Sequence, residues 1–431
     1  MKHRHQIPTK KWQEWPLTKL YNTIMHSTDN TLRLKLLFFV TCIIWIHPTN
    51  STVPASQPDK LQVTPFTINV SDVVLQDLSR RLGTARFPDE IPGTGWDYGT
   101  NLTYLKEIIE YWKNSFDWRK QEQRLNEFEQ FTTNINGLDI HFIHEQSPSA
   151  DAVPLLLLNG WPSSINEYSK VIAPLTNPKH SSTQAFHVVI PSMPGYGFSE
   201  KPNQPGYDTR KMSEFWKILM SRLGYAAYGI HASDWGASVA NWLARLDTEH
   251  IVGLHLIGCE GVLRTASPKG KSKDQISDGF GYVEIQSTKT QTLGYGLSDS
   301  PIGLAAWILE KYHGWSDLDN DLQEVYSKDE LLTNIMMYWV TNSITSASRL
   351  YYENRHGSSR PEENISIPTG CASFVERFDN RARTDDTAKE NAYLRYNIVR
   401  WTDMPRGGHF PALEQPELWL NDLRSFFFNL R

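Results

Sequence analysis

The stretch His231-Ala232-Ser233-Asp234-Trp235-Gly236-Ala237 lies between an apolar run at 226–230 and a helical pattern at 237–246. A reactive side chain on a sharp strand-to-helix turn sits where the backbone is crowded. Small residues are therefore needed two positions before it and two and three positions after it. With Asp234 on the turn, those positions hold Ala232, Gly236 and Ala237. With Ser233 on the turn, they would include His231 and Trp235, which are too large. Sterics thus favour a carboxylate as the presented group. This segment alone leaves a second role open, in which Asp234 simply caps the following helix.

Outward from this turn the chain alternates. Short apolar runs at 154–158, 187–190, 226–230, 254–257, 365–368 and 396–399 suit strands covered on both faces, and 140–144 alternates like a half-buried strand. Helical patterns at 212–223 and 237–246 separate several of them. Strands alternating with helices predict an α/β fold with a mostly parallel sheet. Between about 260 and 355 the alternation gives way to helical stretches such as 302–312 and 331–340, a helical insertion over the sheet. Before the sheet, helices are expected over 71–82 and 102–114. In the second, Leu105, Ile108, Ile109 and Trp112 share one face and Asn101 or Thr100 caps.

The expected division is 1–58 as basic flank, signal or anchor segment and linker, and 59–145 as an accessory region. Residues 146–260 and 356–431 form the core, and 261–355 the helical cap. Residues 47–64, rich in Pro, Ser and Thr, read as linker. Ahead of it, seven basic residues precede an apolar run at 36–46, the layout of a signal sequence. Met25 is an alternative start, and Val53 and Ala55 occupy the small positions of a cleavage site. Retained, the run would be an anchor holding the chain at the endoplasmic reticulum membrane; cleaved, it would yield a secreted protein; the third alternative is a buried helix at the edge of the fold. Asn50, Asn69, Asn101 and Asn364 head glycosylation sequons. A net charge of -5 excludes an electrostatic case for nucleic-acid binding. The three cysteines, Cys42, Cys259 and Cys371, are odd in number and widely spaced, so neither a disulfide framework nor a zinc site is expected.

Two further segments bear on Asp234. Asn159-Gly160-Trp161-Pro162-Ser163 follows the strand expected at 154–158, where such folds place a loop whose N–H groups face a developing oxyanion. Trp161 and Trp235 would supply the two donors. Arg406-Gly407-Gly408-His409-Phe410 follows the last apolar strand. With an acid between 368 and 396, the order nucleophile, acid, histidine is that of an α/β-hydrolase.

Three longer stretches carry a family resemblance. They are 406–416 (RGGHFPALEQP), 191–199 (PSMPGYGFS) and the cap stretch 281–289 (GYVEIQSTK) continuing to 297–304 (LSDSPIGL). The chain resembles the microsomal-type epoxide hydrolases in these, and in the accessory region at Trp96-Asp97-Tyr98-Gly99, at Tyr111-Trp112 and at Phe116-Asp117-Trp118-Arg119. The resemblance runs from about residue 60 to the C-terminus. It implies that Asp234 attacks an epoxide carbon to form an ester and that Tyr282 and Tyr351 protonate the epoxide oxygen, with Tyr352 as a substitute for the latter. It implies further that His409 activates water against the ester and that an acid, Glu376 or next Asp379, orients the histidine. A carboxylate is already ionised at neutral pH and a phenol still holds its proton, so this chemistry requires no metal and no organic cofactor. An aromatic, apolar pocket would favour lipophilic epoxides.

The chain departs from the family pattern in four places. Asn159 stands where histidine is usual, Ala232 and Ser233 where glycines are usual, the stretch from Asp234 to Tyr282 is short, and the acid is displaced. Two other functions remain open on the same residues. One is a haloalkane dehalogenase with Trp235 holding the halide; the other is a lumenal binding protein that has lost turnover.

Overall fold

Runs that bury both faces become the middle of a sheet. In the computed structural model, which describes residues 62–180, 182–259, 278–357, 364–375 and 386–430, nine strands form one sheet. They are β1 (Thr64–Phe66), β2 (Gln130–Ile135), β3 (Leu138–Glu145), β4 (Val153–Leu158), β5 (Phe186–Pro191), β6 (Tyr228–Ala232), β7 (Ile251–Ile257), β8 (Ile365–Ser373) and β9 (Tyr396–Asp403). The order is β1-β2-β3-β5-β4-β6-β7-β8-β9, antiparallel from β1 to β5 and parallel from β5 to β9. Leu155, Leu156, Leu157 and Leu158 of β4 are buried, as a central strand covered on both faces requires.

The fold is that of an α/β-hydrolase. Strands β4 and β6 are neighbours, with Leu158 opposite Ala232. The chain order reverses around β4, and in open α/β sheets such a switch point opens a crevice beyond the carboxyl ends of the strands. The loops after β4, β6, β8 and β9 all leave from that edge.

Two strands at the sheet's start, β1 and β2, were not expected. The expected linker at 47–64 reaches into β1, and β2 (Gln-Phe-Thr-Thr-Asn-Ile) has no apolar run to announce it. Its signal was Asn136-Gly137. Both residues take positive φ, 51° and 85°, as a two-residue hairpin turn demands, and Ile135 pairs with Leu138.

Helices α1 (Asp72–Gly83), α2 (Leu102–Asn114) and α3 (Trp118–Leu125) precede the sheet's main part. Ser71 and Asn101 cap the first two, each accepting from a backbone N–H of the first turn. Leu105, Ile108, Ile109 and Trp112 are all buried, as their spacing predicts. Helices α4 (Thr209–Arg222) and α5 (Asp234–Leu246) flank the sheet, and α11 (Asp386–Arg395) and α12 (Pro416–Phe428) end the chain. Between β7 and β8 lie α6 (Gly281–Thr288), α7 (Thr290–Asp299), α8 (Pro301–Trp315), α9 (Lys328–Val340) and α10 (Ile344–His356). The N-terminal helices brace this insertion. Tyr111 Oη donates to Asp329 at 2.9 Å, Thr100 Oγ1 to the Ala306 carbonyl at 2.7 Å, and Trp96 stacks on His313 at 3.9 Å.

One expectation from the sequence is overturned. Cys259 and Cys371 form a disulfide, with Cα atoms 5.8 Å apart, across a separation of 112 residues. Their distance in sequence was misleading because parallel strands bring remote segments side by side. Strands β7 and β8 pair with Leu256 opposite Cys371, and Cys259 follows two residues after β7 ends. The five-helix insertion lies inside the loop the disulfide closes. Closing a loop of that size stabilises by up to about 5 kcal/mol in the chain-entropy account. Among the described residues no helix is long and apolar enough to cross a membrane. The apolar run at 36–46 lies outside the described residues.

Candidate active site

The strand-to-helix turn has the strain its sequence foretold. Asp234 is the first residue of α5 yet has φ 48°, a conformation a non-glycine residue rarely adopts without reason. It does not serve as a cap: the N-cap position belongs to Ser233, whose side chain makes no capping bond. The carboxylate instead projects from the N-terminus of α5, where the helix dipole favours negative charge. Gly236 explains the small-residue rule directly. A Cβ there would lie 2.3 Å from the Leu158 carbonyl oxygen, so α5 can approach β4 only without one.

The loop after β4 meets the turn. Trp161 N–H donates to Asp234 Oδ1 at 3.0 Å. Gly160 permits this, since a Cβ at that position would fall 1.9 Å from the same oxygen. Asn159 is buried beside them. The insertion locks the loop from above, as Asn334 Nδ2 donates to the Pro162 carbonyl at 2.7 Å and Tyr338 Oη to the Ser163 carbonyl at 2.7 Å. Of the two expected donors, Trp161 N–H is thus aimed at the carboxylate. The Trp235 ring stands edge-on to Tyr351 at 4.7 Å.

His409 approaches from the opposite side, its Nε2 3.5 Å from Asp234 Oδ2. Its loop is shaped by two glycines. Gly407 has φ 103°, and a Cβ on Gly408 would lie 2.5 Å from the Trp315 carbonyl oxygen. That carbonyl accepts the His409 N–H at 2.9 Å. Glu414, buried, accepts from the N–H groups of Gly408 at 2.8 Å, Phe410 at 2.8 Å and Asp317 at 2.9 Å. Burial pushes its carboxyl above the usual range. These clamps were not evident from the sequence, since Glu414 sits in an ordinary Leu-Glu-Gln-Pro context.

Tyr282 on α6 and Tyr351 on α10 converge beside Trp161, their ring centroids 5.9 Å apart and both side chains buried. Trp161 stacks on Tyr282 at 5.3 Å and stands edge-on to Tyr351 at 5.9 Å. Trp315 joins Tyr282 at 5.3 Å to His409 at 5.0 Å. Burial, the neighbouring Tyr282 and the Asp234 charge raise the Tyr351 phenol well above its usual range, which keeps it protonated at neutral pH. Tyr352, the substitute, is partly exposed and stacks on His356 at 4.0 Å, away from this group. Over the Tyr282 ring, at 4.4 Å, sits Lys311 Nζ, a buried cation paired with Glu310. The segment at 191–199 anchors α10: Ser346 Oγ donates to the Gly195 carbonyl at 2.5 Å, and Tyr196 Oη to Ala347 at 3.1 Å.

Glu167 is buried and feels the charge of Asp234; its carboxyl is pushed up to about 7 chiefly by burial, with Ser163 and His409 pulling the other way. No sequence feature marked it. The two acid candidates, Glu376 and Asp379, lie outside the described residues.

An α/β-hydrolase with an aspartate on its sharp turn, a histidine facing it and two tyrosines nearby is one class of enzyme. The model of the α/β hydrolase fold matches residues 153–276, and that of the epoxide hydrolase N terminus matches 63–168. Epoxide hydrolase 1 of Sus scrofa is 37% identical over 414 residues, covering 86% of this chain and 90% of its own. The crystal structure of juvenile hormone epoxide hydrolase from the silkworm Bombyx mori superposes with a TM-score of 0.76 at 32% identity, over 86% of this chain and 95% of that one. Aspergillus niger epoxide hydrolase gives 0.73 at 30% identity, over 86% and 98%. This chain belongs to the epoxide hydrolase family, hydrolases that act on epoxides.

Proposed function

We propose that the chain converts lipophilic epoxides to vicinal diols through an ester on Asp234. The observation that carries this is the disposition of the two carboxylate oxygens. Oδ1 accepts the Trp161 N–H, and Oδ2 faces His409. Oδ2 attacks an epoxide carbon, that carbon–oxygen bond breaks, and a phenol of Tyr282 or Tyr351 protonates the leaving oxygen. His409 then takes a proton from water as the water adds to the Asp234 Cγ. The negative charge falls on Oδ1, where the Trp161 N–H, with that of Trp235, stabilises it. Collapse breaks the ester bond, the departing diol oxygen takes the proton from His409, and the water's second proton, left on the new carboxyl group, passes to the tyrosinate, restoring carboxylate and phenol.

The aromatic wall of Trp161, Tyr282, Trp315 and Tyr351 supports an apolar substrate. In this reading residues 59–145 brace the cap, 261–355 supply the proton donors, and the core at 146–260 and 356–431 supplies nucleophile and base. Glu376 is the acid we favour for orienting His409. The chain enters that segment alongside the histidine loop, with Val375 N–H donating to the Gly407 carbonyl at 2.9 Å.

Intact-mass spectrometry after brief exposure to a panel of lipophilic epoxides, with diol measured in parallel, tests the reading. Diol release by the unmodified protein and an adduct of enzyme plus epoxide in Glu376→Gln are expected. An adduct in Asp379→Asn instead moves the acid to Asp379. An adduct in the unmodified protein with no diol would make it a binding protein, and halide release from haloalkanes without diol from epoxides would make it a dehalogenase.

A further inference from the structure

We propose that Asn69 and Asn364 carry N-linked glycans, attached in the oxidising lumen in which the Cys259–Cys371 disulfide forms. Four Asn-X-Ser/Thr acceptors occur, and a chain of this length offers some by chance; the structure separates them. Asn69, in Asn69-Val70-Ser71, is exposed on the segment joining β1 to α1. Asn364, in Asn364-Ile365-Ser366, is exposed immediately before β8. It stands at the amino end of that strand, the sheet edge opposite the catalytic loops, where a glycan leaves the site clear.

Asn101, in Asn101-Leu102-Thr103, is a different case. Its Oδ1 accepts the Tyr104 N–H at 2.9 Å to cap α2, and its Nδ2 donates to the Gly95 carbonyl at 3.3 Å and faces Glu90 at 3.5 Å. A sugar on that nitrogen would take the place of one of its two N–H groups and crowd the Gly95 and Glu90 contacts, so Asn101 is the unmodified acceptor. Asn50 lies outside the described residues.

The disulfide is the independent observation. Disulfides form and persist in secretory and extracellular compartments and are rare where thiols are kept reduced. The lumen that oxidises thiols is also where Asn-X-Ser/Thr acceptors are glycosylated. The cysteine bridge from the segment after β7 to β8 and glycans on the two open acceptors are unrelated chemistries that belong to the same compartment.

The test expresses the full chain in cultured eukaryotic cells. Peptide N-glycosidase in heavy-oxygen water converts each glycosylated asparagine to labelled aspartate, and non-reducing peptide mapping follows the cysteines. Label at 69 and 364, none at 101, and a peptide pair linked through Cys259 and Cys371 are expected. Asn69→Gln and Asn364→Gln should each remove one step of gel mobility, and Ser366→Ala should reproduce the Asn364→Gln step. Absence of label at either site overturns the assignment for that site, and label on Asn101 of active protein overturns the selection among acceptors. Cys259 and Cys371 recovered as free thiols in the freshly alkylated protein overturn the compartment.

Discussion

The two halves of the site are held by different forces. The core half, Asp234 with Trp161 and His409, is held by backbone. A positive φ, a single N–H···O bond of 3.0 Å and glycines where any Cβ would collide fix the carboxylate. The cap half, Tyr282 and Tyr351, is placed by ring packing among Trp161, Trp235 and Trp315 and by helices tethered to the core. Backbone contacts define a position closely and fail abruptly. Aromatic packing tolerates small shifts, which suits groups that must admit substrates of different shape.

The sharpest way to break this comparison is at the carboxylate. Asp234→Ala should abolish both ester and diol, a loss on the order of 10⁴–10⁶-fold in turnover, while Ser233→Ala keeps most of it. The opposite pattern in steady-state diol assays would return the turn to the serine. The cap half is next. Tyr282→Phe and Tyr351→Phe should each slow single-turnover ring opening by about 10²–10³-fold, with the double variant worse still. Unchanged rates in the double variant would remove the phenols from the chemistry.

Gly160→Ala probes the abrupt failure expected of backbone placement. Its methyl would meet Asp234 Oδ1 at 1.9 Å and push the carboxylate aside. Misplacement of about 1 Å costs roughly 10²-fold in turnover, here with the thermal midpoint little changed. Retained activity would show that the core half tolerates shifts as the cap half does.

The smallest effect concerns stability. Because the folded Glu167 carboxyl titrates at about 7, above the usual carboxylate value, the folded state binds its proton more tightly than the unfolded chain. Its contribution is therefore fully present below the unfolded value and is lost as pH rises towards 7, by up to about 3 kcal/mol. Glu167→Gln should flatten that part of the stability–pH curve from denaturant titrations between pH 4.5 and 7. An unchanged slope would mean that Glu167 is not the group responsible.

Legibility followed the same divide. The turn at Asp234 was readable because its constraint is local: residues within three positions must be small, and they are Ala232, Gly236 and Ala237. The accessory helices were readable because a cap residue and one apolar face suffice. Strand β2 was missed because its polar sequence becomes a strand only by pairing with β3, although Asn136-Gly137 marked the hairpin. The tyrosines were found through family resemblance; nothing in Gly281-Tyr282-Val283 indicates that its ring meets one 69 positions away.

By itself, the sequence determined the strand–turn–helix unit, the parallel sheet and the carboxylate chosen for the turn, because each rests on sterics and periodicity over a few residues. Tertiary structure alone decided that Cys259 meets Cys371, that Gly160 must lack a Cβ beside Asp234, and that Glu414 clamps the histidine loop. Those facts depend on which strands lie side by side and which loops leave the same sheet edge. Such adjacency is a property of the whole packed chain, and no short stretch of residues encodes it.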